Sequence, residues 1–164
     1  MKAITSVIAS IFLSVSLATA AGSPPVKSTI SKDVNVYNNG LALMLAKNFS
    51  GAEKQFRKAI AHNENFAEAH NNLAYTLRKQ GPDNYDDALN HYNRAIELSP
   101  GLNEPFMYRG VLYIQMGNKD LAMLDYRTLT TRNSPLAVEL QYVIENGREK
   151  EPEQFFGVSR RIDG

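Results

Sequence analysis

Residues 67–100, AEAHNNLAYTLRKQGPDNYDDALNHYNRAIELSP, contain the pattern that decides the fold. Ala88, Tyr92 and Ala95 follow one another at steps of four and three, which places their side chains on one face of an α-helix. In the preceding segment, the small Ala74 allows a second helix to approach closely, and an aromatic side chain can fill the space that remains. The stretch therefore predicts two helices packed against each other.

The same pattern occurs on both sides of this stretch. Alanine recurs at Ala52, Ala88 and Ala122, and an aromatic residue follows each of them after four positions. No helix pair of this kind can bury its own apolar face, so each pair must stack on a neighbour, and about three pairs are needed for stability. The chain therefore predicts an all-α stack of three repeats, at 33–66, 67–102 and 103–136.

These units resemble the tetratricopeptide repeat, and the resemblance covers residues 33–136. It implies a right-handed solenoid of helix hairpins that curves around a concave groove and binds a peptide or helix of another protein there. The chain departs from the family pattern in two repeats. Asn39 and Glu64 stand where Leu and Pro are usual in the first, and Arg109 and Leu129 where Leu and Ala are usual in the third.

Seven helices are predicted in total. Their expected bounds are 33–46, 49–62, 67–80, 84–98, 103–116, 119–132 and 135–146. The segment 135–147 has a one-sided apolar stripe, which favours a helix that caps the last repeat. An exposed docking face is the alternative interpretation of the same stripe.

The N-terminal segment is typical of an export signal. Lys2 precedes an uncharged apolar stretch that ends in small residues, so residues 1–20 are predicted to be cleaved. An uncleaved membrane anchor is the alternative. Cleavage would leave 17 basic and 17 acidic residues, because only Lys2 is lost from the 18 and 17 of the full chain. Residues 21–32 then form a flexible leader, and the mature protein is expected to be periplasmic or secreted, with no membrane span.

The composition excludes several function classes. The 164 residues contain no cysteine and only three histidines, and the net charge is +1. There is no basic excess for binding nucleic acid, no thiol nucleophile, and no motif for a metal or cofactor. His62 and His70 are the candidates for an acid–base or metal site, but their eight-residue spacing differs from H-E-x-x-H. Helix-end and surface histidines are the expectation, and the protein is not expected to be an enzyme.

The groove residues follow from the repeat register in the family that the chain resembles. The resemblance implies partner contacts at nine positions, namely Tyr37, Leu41, Met44, Asn71, Tyr75, Arg78, Met107, Val111 and Ile114. Asn71, Tyr75 and Arg78 are expected to be exposed, because a buried arginine needs a partner that the pattern does not supply. Leu41, Met44, Met107 and Ile114 are left open between groove and core.

The expected function is non-catalytic binding. The chain is interpreted as an exported adaptor or assembly factor that holds an envelope or secreted protein. The alternative is a structural self-assembler that stacks through repeat ends or through the flexible tail 148–164. Within that tail, Phe155-Phe156 either packs loosely on the last helices or docks into a partner. The preceding GREKEPEQ, residues 147–154, is interpreted as a solvated linker.

Overall fold

The computed structural model describes residues 31–150 and 162–163, and these residues form helices but no β-strand. Each predicted helix is present, with both ends within one residue of the expected position. The α-helices are α1 (Lys32–Leu45), α2 (Phe49–His62), α3 (Ala67–Gln80), α4 (Tyr85–Leu98), α5 (Glu104–Gln115), α6 (Lys119–Thr131) and α7 (Leu136–Asn146). The predicted signal peptide, residues 21–30 of the leader and the Phe155-Phe156 pair lie outside the described residues.

The helices pack as successive antiparallel pairs. α1 packs on α2, α3 on α4 and α5 on α6, and consecutive pairs also meet, α2 against α3 and α4 against α5. A short 3-10 helix, Pro82–Asn84, precedes α4 and accommodates the two extra residues of the second repeat. The all-α solenoid of helix hairpins that the sequence predicts is therefore confirmed.

The first helices of the pairs lie on one side of the stack. The backbone of α1 contacts that of α3, and α3 contacts α5, whereas in the described chain the backbones of α2 and α4, and of α4 and α6, stay apart. α2 and α4 meet through long side chains, such as those of Arg57 and Asp87. The first helices therefore crowd together on the inner side, while the second helices spread apart on the outer side. We call the side formed by α1, α3 and α5 the inner face.

The repeated alanines and aromatic residues fill the core as predicted. Ala52, Ala88 and Ala122 are fully buried. A Cβ atom on Gly40 would lie 2.8 Å from Cε1 of Phe56, so α1 and α2 approach as closely as a glycine permits. This contact confirms that small residues of the first helix make room for an aromatic side chain of the second.

The third repeat solves the same packing problem differently. The space beside Gly110 is taken by Leu140 of α7, whose Cδ2 lies 2.5 Å from the position of a Cβ on Gly110. Tyr126, the aromatic residue expected there, is only half-buried. Since α7 packs on both α5 and α6 and buries Leu140 and Val143, it covers the end of the stack as a cap. Gly147, with φ of 69°, ends α7 in the left-handed conformation.

An ion pair accounts for the departure at Arg109. Its guanidinium donates two hydrogen bonds to Asp125 of α6, at 3.0 and 2.6 Å, and a third to Asn93 of α4 at 2.7 Å. Asp125 is buried. Arg109 therefore links the second and third helix pairs at a position where the family usually places an apolar leucine.

Candidate functional site

The inner face is more buried than the sequence predicts. Asn71, Tyr75 and Arg78 were expected to be exposed, but all three are buried, and this expectation was wrong. Tyr37, Leu41, Met44, Met107 and Val111 are buried as well, and Ile114 is half-buried. The apolar positions that the sequence left open therefore pack into the core.

Arg78 is buried because a partner comes from the segment after α7. Its Nη1 and Nη2 donate to the two carboxylate oxygens of Glu149, each at 3.0 Å, and Nη1 also donates to Oε1 of Gln115 at 3.2 Å. The Arg78 side chain is 0% exposed and that of Glu149 is 22% exposed. Planar two-bond pairing of this kind gives arginine a stronger and more directional hold on a carboxylate than a single hydrogen bond would.

Aromatic rings surround the guanidinium. Its carbon lies 5.2 Å from the ring centre of Tyr75 and 5.3 Å from that of Tyr108, and the two rings meet edge to face at 4.8 Å. Burial alone would lower the pKa of Arg78, but the pKa is raised because Tyr92 and Glu149 lie beside the charge. Arg78 therefore stays positively charged at every physiological pH.

A second polar contact lies on α1 and was not predicted. The side-chain amide of Asn38 donates to the backbone carbonyl of Ile162 at 2.7 Å and accepts from the backbone N–H of the same residue at 3.1 Å. Ile162 is half-buried against the core. Asn38 is adjacent to Tyr37 but is not one of the register positions, so the repeat pattern gave no signal for it.

Glu149 was also missed, because it belongs to the segment interpreted as a solvated linker. Nothing in GREKEPEQ distinguishes one acidic residue from the next. Lys79, whose Nζ is 3.9 Å from Glu149, lies one residue after Arg78 and adds a second positive charge. A buried arginine needs an acidic partner, and this need could have pointed to Glu149. The sequence alone does not reveal that Arg78 is buried, so this signal could not be used.

The sequence predicts histidines at helix ends and at the surface, and this prediction is wrong for His70. His62 does end α2, but His70 is buried and its Nδ1 lies 2.9 Å from Nδ1 of His91 in α4. Burial lowers the pKa of His70, and burial followed by the nearby His70 lowers that of His91 to about 4. Among residues 31–150 and 162–163, no three His, Asp or Glu side chains converge as metal ligands.

The inner face thus has the chemistry to hold an extended chain. Arg78 offers a fixed, charged fork for a carboxylate, and Asn38 offers an amide that bonds both polar groups of one backbone residue. Gln115, which is exposed, and Lys79 lie at the Arg78 end.

Sequence comparison identifies the repeat. A family model described as tetratricopeptide repeat matches residues 37–103. Over this region the chain is similar to tetratricopeptide-repeat proteins. Over 74 residues it is 35% identical to the human (Homo sapiens) protein named "Tetratricopeptide repeat protein 6", a match that covers 45% of this chain and 14% of the relative. The chain thus spans a small part of that relative's length.

Solved structures share the fold of this chain. The "Arabidopsis OM64 TPR domain" superposes with a TM-score of 0.63 at 16% identity, covering 71% of this chain and 96% of that one. A chain of the "CopN-Scc3 complex" gives a TM-score of 0.59 at 23% identity, covering 73% and 71%. At these identities the similarity establishes the fold.

The tetratricopeptide-repeat fold is that of a protein–protein interaction module, and members of the family are generally non-catalytic scaffolds. Within the part of the chain that the structure describes, no helix is both long and apolar enough to cross a membrane.

Proposed function

We propose that this protein is an exported adaptor that binds an extended segment of an envelope or secreted protein on its inner face. The observation that carries the proposal is the pair of polar contact points on that face. Arg78 pairs with a carboxylate, and Asn38 bonds the N–H and C=O of one backbone residue. Both contacts are ones that an extended peptide can make, whatever its other side chains.

Charge supports a partner that carries an acidic group. Arg78 and Lys79 are adjacent near the end of α3, and the Arg78 guanidinium packs against the rings of Tyr75 and Tyr108. A guanidinium packed in this way loses little conformational freedom when a carboxylate binds, so it favours affinity and orientation together. The partner segment is therefore expected to present a Glu or Asp side chain, or a C-terminal carboxylate, to the Arg78 end.

Site-specific photocrosslinking in the source cell tests the binding face. One probe replaces Gln115, which is exposed and bonded to Arg78, and the control probe replaces Arg94, which is exposed on α4. We expect one protein to be captured through Gln115 and not through Arg94. Equal capture by both probes would contradict an inner-face site.

Export is tested separately from binding. The uncharged segment after Lys2 and the small residues at Ala18-Thr19-Ala20 support cleavage before Ala21. Sequencing the N-terminus of the protein isolated from a periplasmic or secreted fraction should yield AGSPP. An intact Met1 on protein from the cytoplasm would contradict export without affecting the inner-face proposal.

Self-association is the second candidate, and exposed apolar side chains at the C-terminal end of the stack favour it. Leu121 and Leu124 on α6 and Val138 on α7 are exposed, the last at 62%. Light scattering over a range of concentrations distinguishes the candidates. A monomer at all concentrations eliminates self-assembly, whereas growth that Val138→Lys abolishes would support it.

A further inference from the structure

We propose that Glu149 and Ile162 act as an intramolecular competitor that occupies both contact points of the inner face until a partner peptide displaces them. This inference rests on the proposed function. It adds that the protein regulates its own binding, and that the partner makes the same two contacts as Glu149 and Ile162.

At the first contact point, Glu149 is bound as a ligand would be. Its two carboxylate oxygens are matched to the two terminal nitrogens of Arg78, and Lys79 lies at 3.9 Å. Glu149 lies outside every helix and retains 22% exposure, so it can leave without unfolding α7. Arg78, by contrast, is fixed in α3 and fully buried. The fixed group is therefore the receptor, and the exposed group is its replaceable occupant.

At the second contact point, Ile162 is bound through its backbone. The Asn38 amide contacts both the N–H and the C=O of this one residue, a contact that does not depend on the Ile162 side chain. Any extended peptide could make the same two hydrogen bonds. The contact bridges 124 positions of the sequence, so it does not follow from local helix geometry.

The occupant and its receptor are parts of one chain, which makes the competition strong. A tethered ligand reaches an effective concentration in the millimolar range, so a free peptide of equal intrinsic affinity is largely excluded. The apparent affinity for a partner is lowered by the fraction of molecules in which the site is already filled. Weakening the tethered contacts must therefore strengthen binding of a free peptide.

Amide hydrogen exchange tests whether Ile162 is seated. In the protein from Ala21 to Gly164 we expect the Ile162 amide to exchange at least about tenfold more slowly than in an unstructured peptide. Asn38→Ala should abolish this protection. Exchange at the unstructured rate in the wild-type chain would overturn the competitor, while capture of a partner through Gln115 would leave the proposed function intact.

A labelled synthetic peptide of residues 147–164 tests the competition. We expect it to bind the Glu149→Gln full chain about tenfold more tightly than the wild type, because the tethered occupant is weakened. Glu145→Gln, an equal change at an exposed residue of α7, is the matched control and should leave the affinity unchanged. Equal affinity for all three chains would overturn the competitor.

The two tests together separate the two proposals. If the Ile162 amide is protected but the peptide binds neither the wild type nor the Glu149→Gln chain, the inner face is not a peptide site. The proposed function then fails, and the competitor fails with it, while the seating of the C-terminal segment stands as a structural contact.

Discussion

Arg78 and Glu149, 71 positions apart in the chain, form a two-bond ion pair on the inner face with both N···O distances at 3.0 Å. The pair joins α3 to the segment that follows α7 and buries a charge that the repeat register predicts to be exposed. A buried arginine without its carboxylate is expensive, because desolvation is then uncompensated. The position of the C-terminal segment and the stability of the inner face are therefore coupled.

Replacing Glu149 should destabilise the fold measurably. Glu149→Gln keeps one acceptor for Arg78 but removes the charge, and we expect a loss of about 1–3 kcal/mol in the free energy of unfolding. Urea denaturation gives this value, and Glu145→Gln, expected within about 0.5 kcal/mol of wild type, is the control. A Glu149→Gln protein as stable as the control would show that the ion pair does not hold the segment in solution.

A side chain at Gly110 should destabilise the fold. A Cβ there would lie 2.5 and 2.7 Å from the methyl carbons of Leu140, so Gly110→Ala requires the buried Leu140 side chain to move or α7 to shift away from α5. We expect a loss of about 1–3 kcal/mol, the usual range for an overpacked core. The matched control is Gly101→Ala, since nothing lies within 4 Å of a Cβ at Gly101.

A second substitution, Leu140→Ala, should offset the effect of a side chain at Gly110. Leu140→Ala removes the side chain that a Cβ at Gly110 would strike, so its effect and that of Gly110→Ala should not add. Additive losses in a thermal-unfolding double-mutant cycle would mean that α7 does not pack against Gly110.

The Arg109–Asp125 ion pair should add little to the free energy of unfolding compared with apolar side chains at the same two positions. Burial raises the pKa of Asp125 although Arg109 opposes the shift, so desolvation outweighs the attraction at that carboxylate. Asp125→Ala alone should cost about 3 kcal/mol, because the partly buried Arg109 loses its carboxylate and keeps only the neutral Asn93 as a hydrogen-bond partner among the described residues. The double variant Arg109→Leu with Asp125→Ala should recover most of this loss when both are compared by urea denaturation. No recovery would mean that the pair is net stabilising.

The His70–His91 contact predicts a loss of stability in acid. Both pKa values are lowered in the folded protein, that of His91 to about 4, so the unfolded chain binds more protons below its ordinary histidine pKa of about 6.5. The contribution of the two neutral histidines to the free energy of unfolding is therefore fully present above about pH 6.5. The free energy of unfolding falls by about 1–3 kcal/mol as the pH drops toward 4. Asp87, whose Oδ1 is 3.7 Å from Nε2 of His91, reduces the loss but does not reverse it.

Unfolding midpoints in urea between pH 4 and 7.5 measure this effect. His91→Gln should flatten the profile, whereas His62→Gln, at the exposed end of α2, should leave its slope unchanged. A wild-type protein that becomes more stable as the pH falls through this range would contradict the assignment.

Repeat periodicity predicts the helices well because each helix satisfies its own backbone and its apolar face follows local spacing. The alanine and aromatic positions at Ala52, Phe56 and Ala88 could be assigned to the core for the same reason. Register also predicts which side of a helix a residue occupies. It does not predict what covers that side, and this is why Arg78 and Tyr75 were wrongly expected to be exposed.

The contacts that define the candidate site join residues far apart in the sequence. Arg78 meets Glu149 across 71 positions, and Asn38 meets Ile162 across 124. Neither acidic nor aliphatic residues near the C-terminus carry any local mark of such a contact. His70 and His91 are 21 positions apart, yet the two helices of one hairpin bring their Nδ1 atoms to 2.9 Å.

The central claim is that the inner face binds a partner peptide in competition with the C-terminal segment. NMR titration of the protein from Ala21 to Gly164 with the segment captured through Gln115 tests it most directly. We predict shifts concentrated on α1, α3 and α5, and an Ile162 amide that loses its protection as the peptide saturates. Shifts confined to α2, α4 and α6, with the Ile162 amide still protected at saturation, would contradict the account.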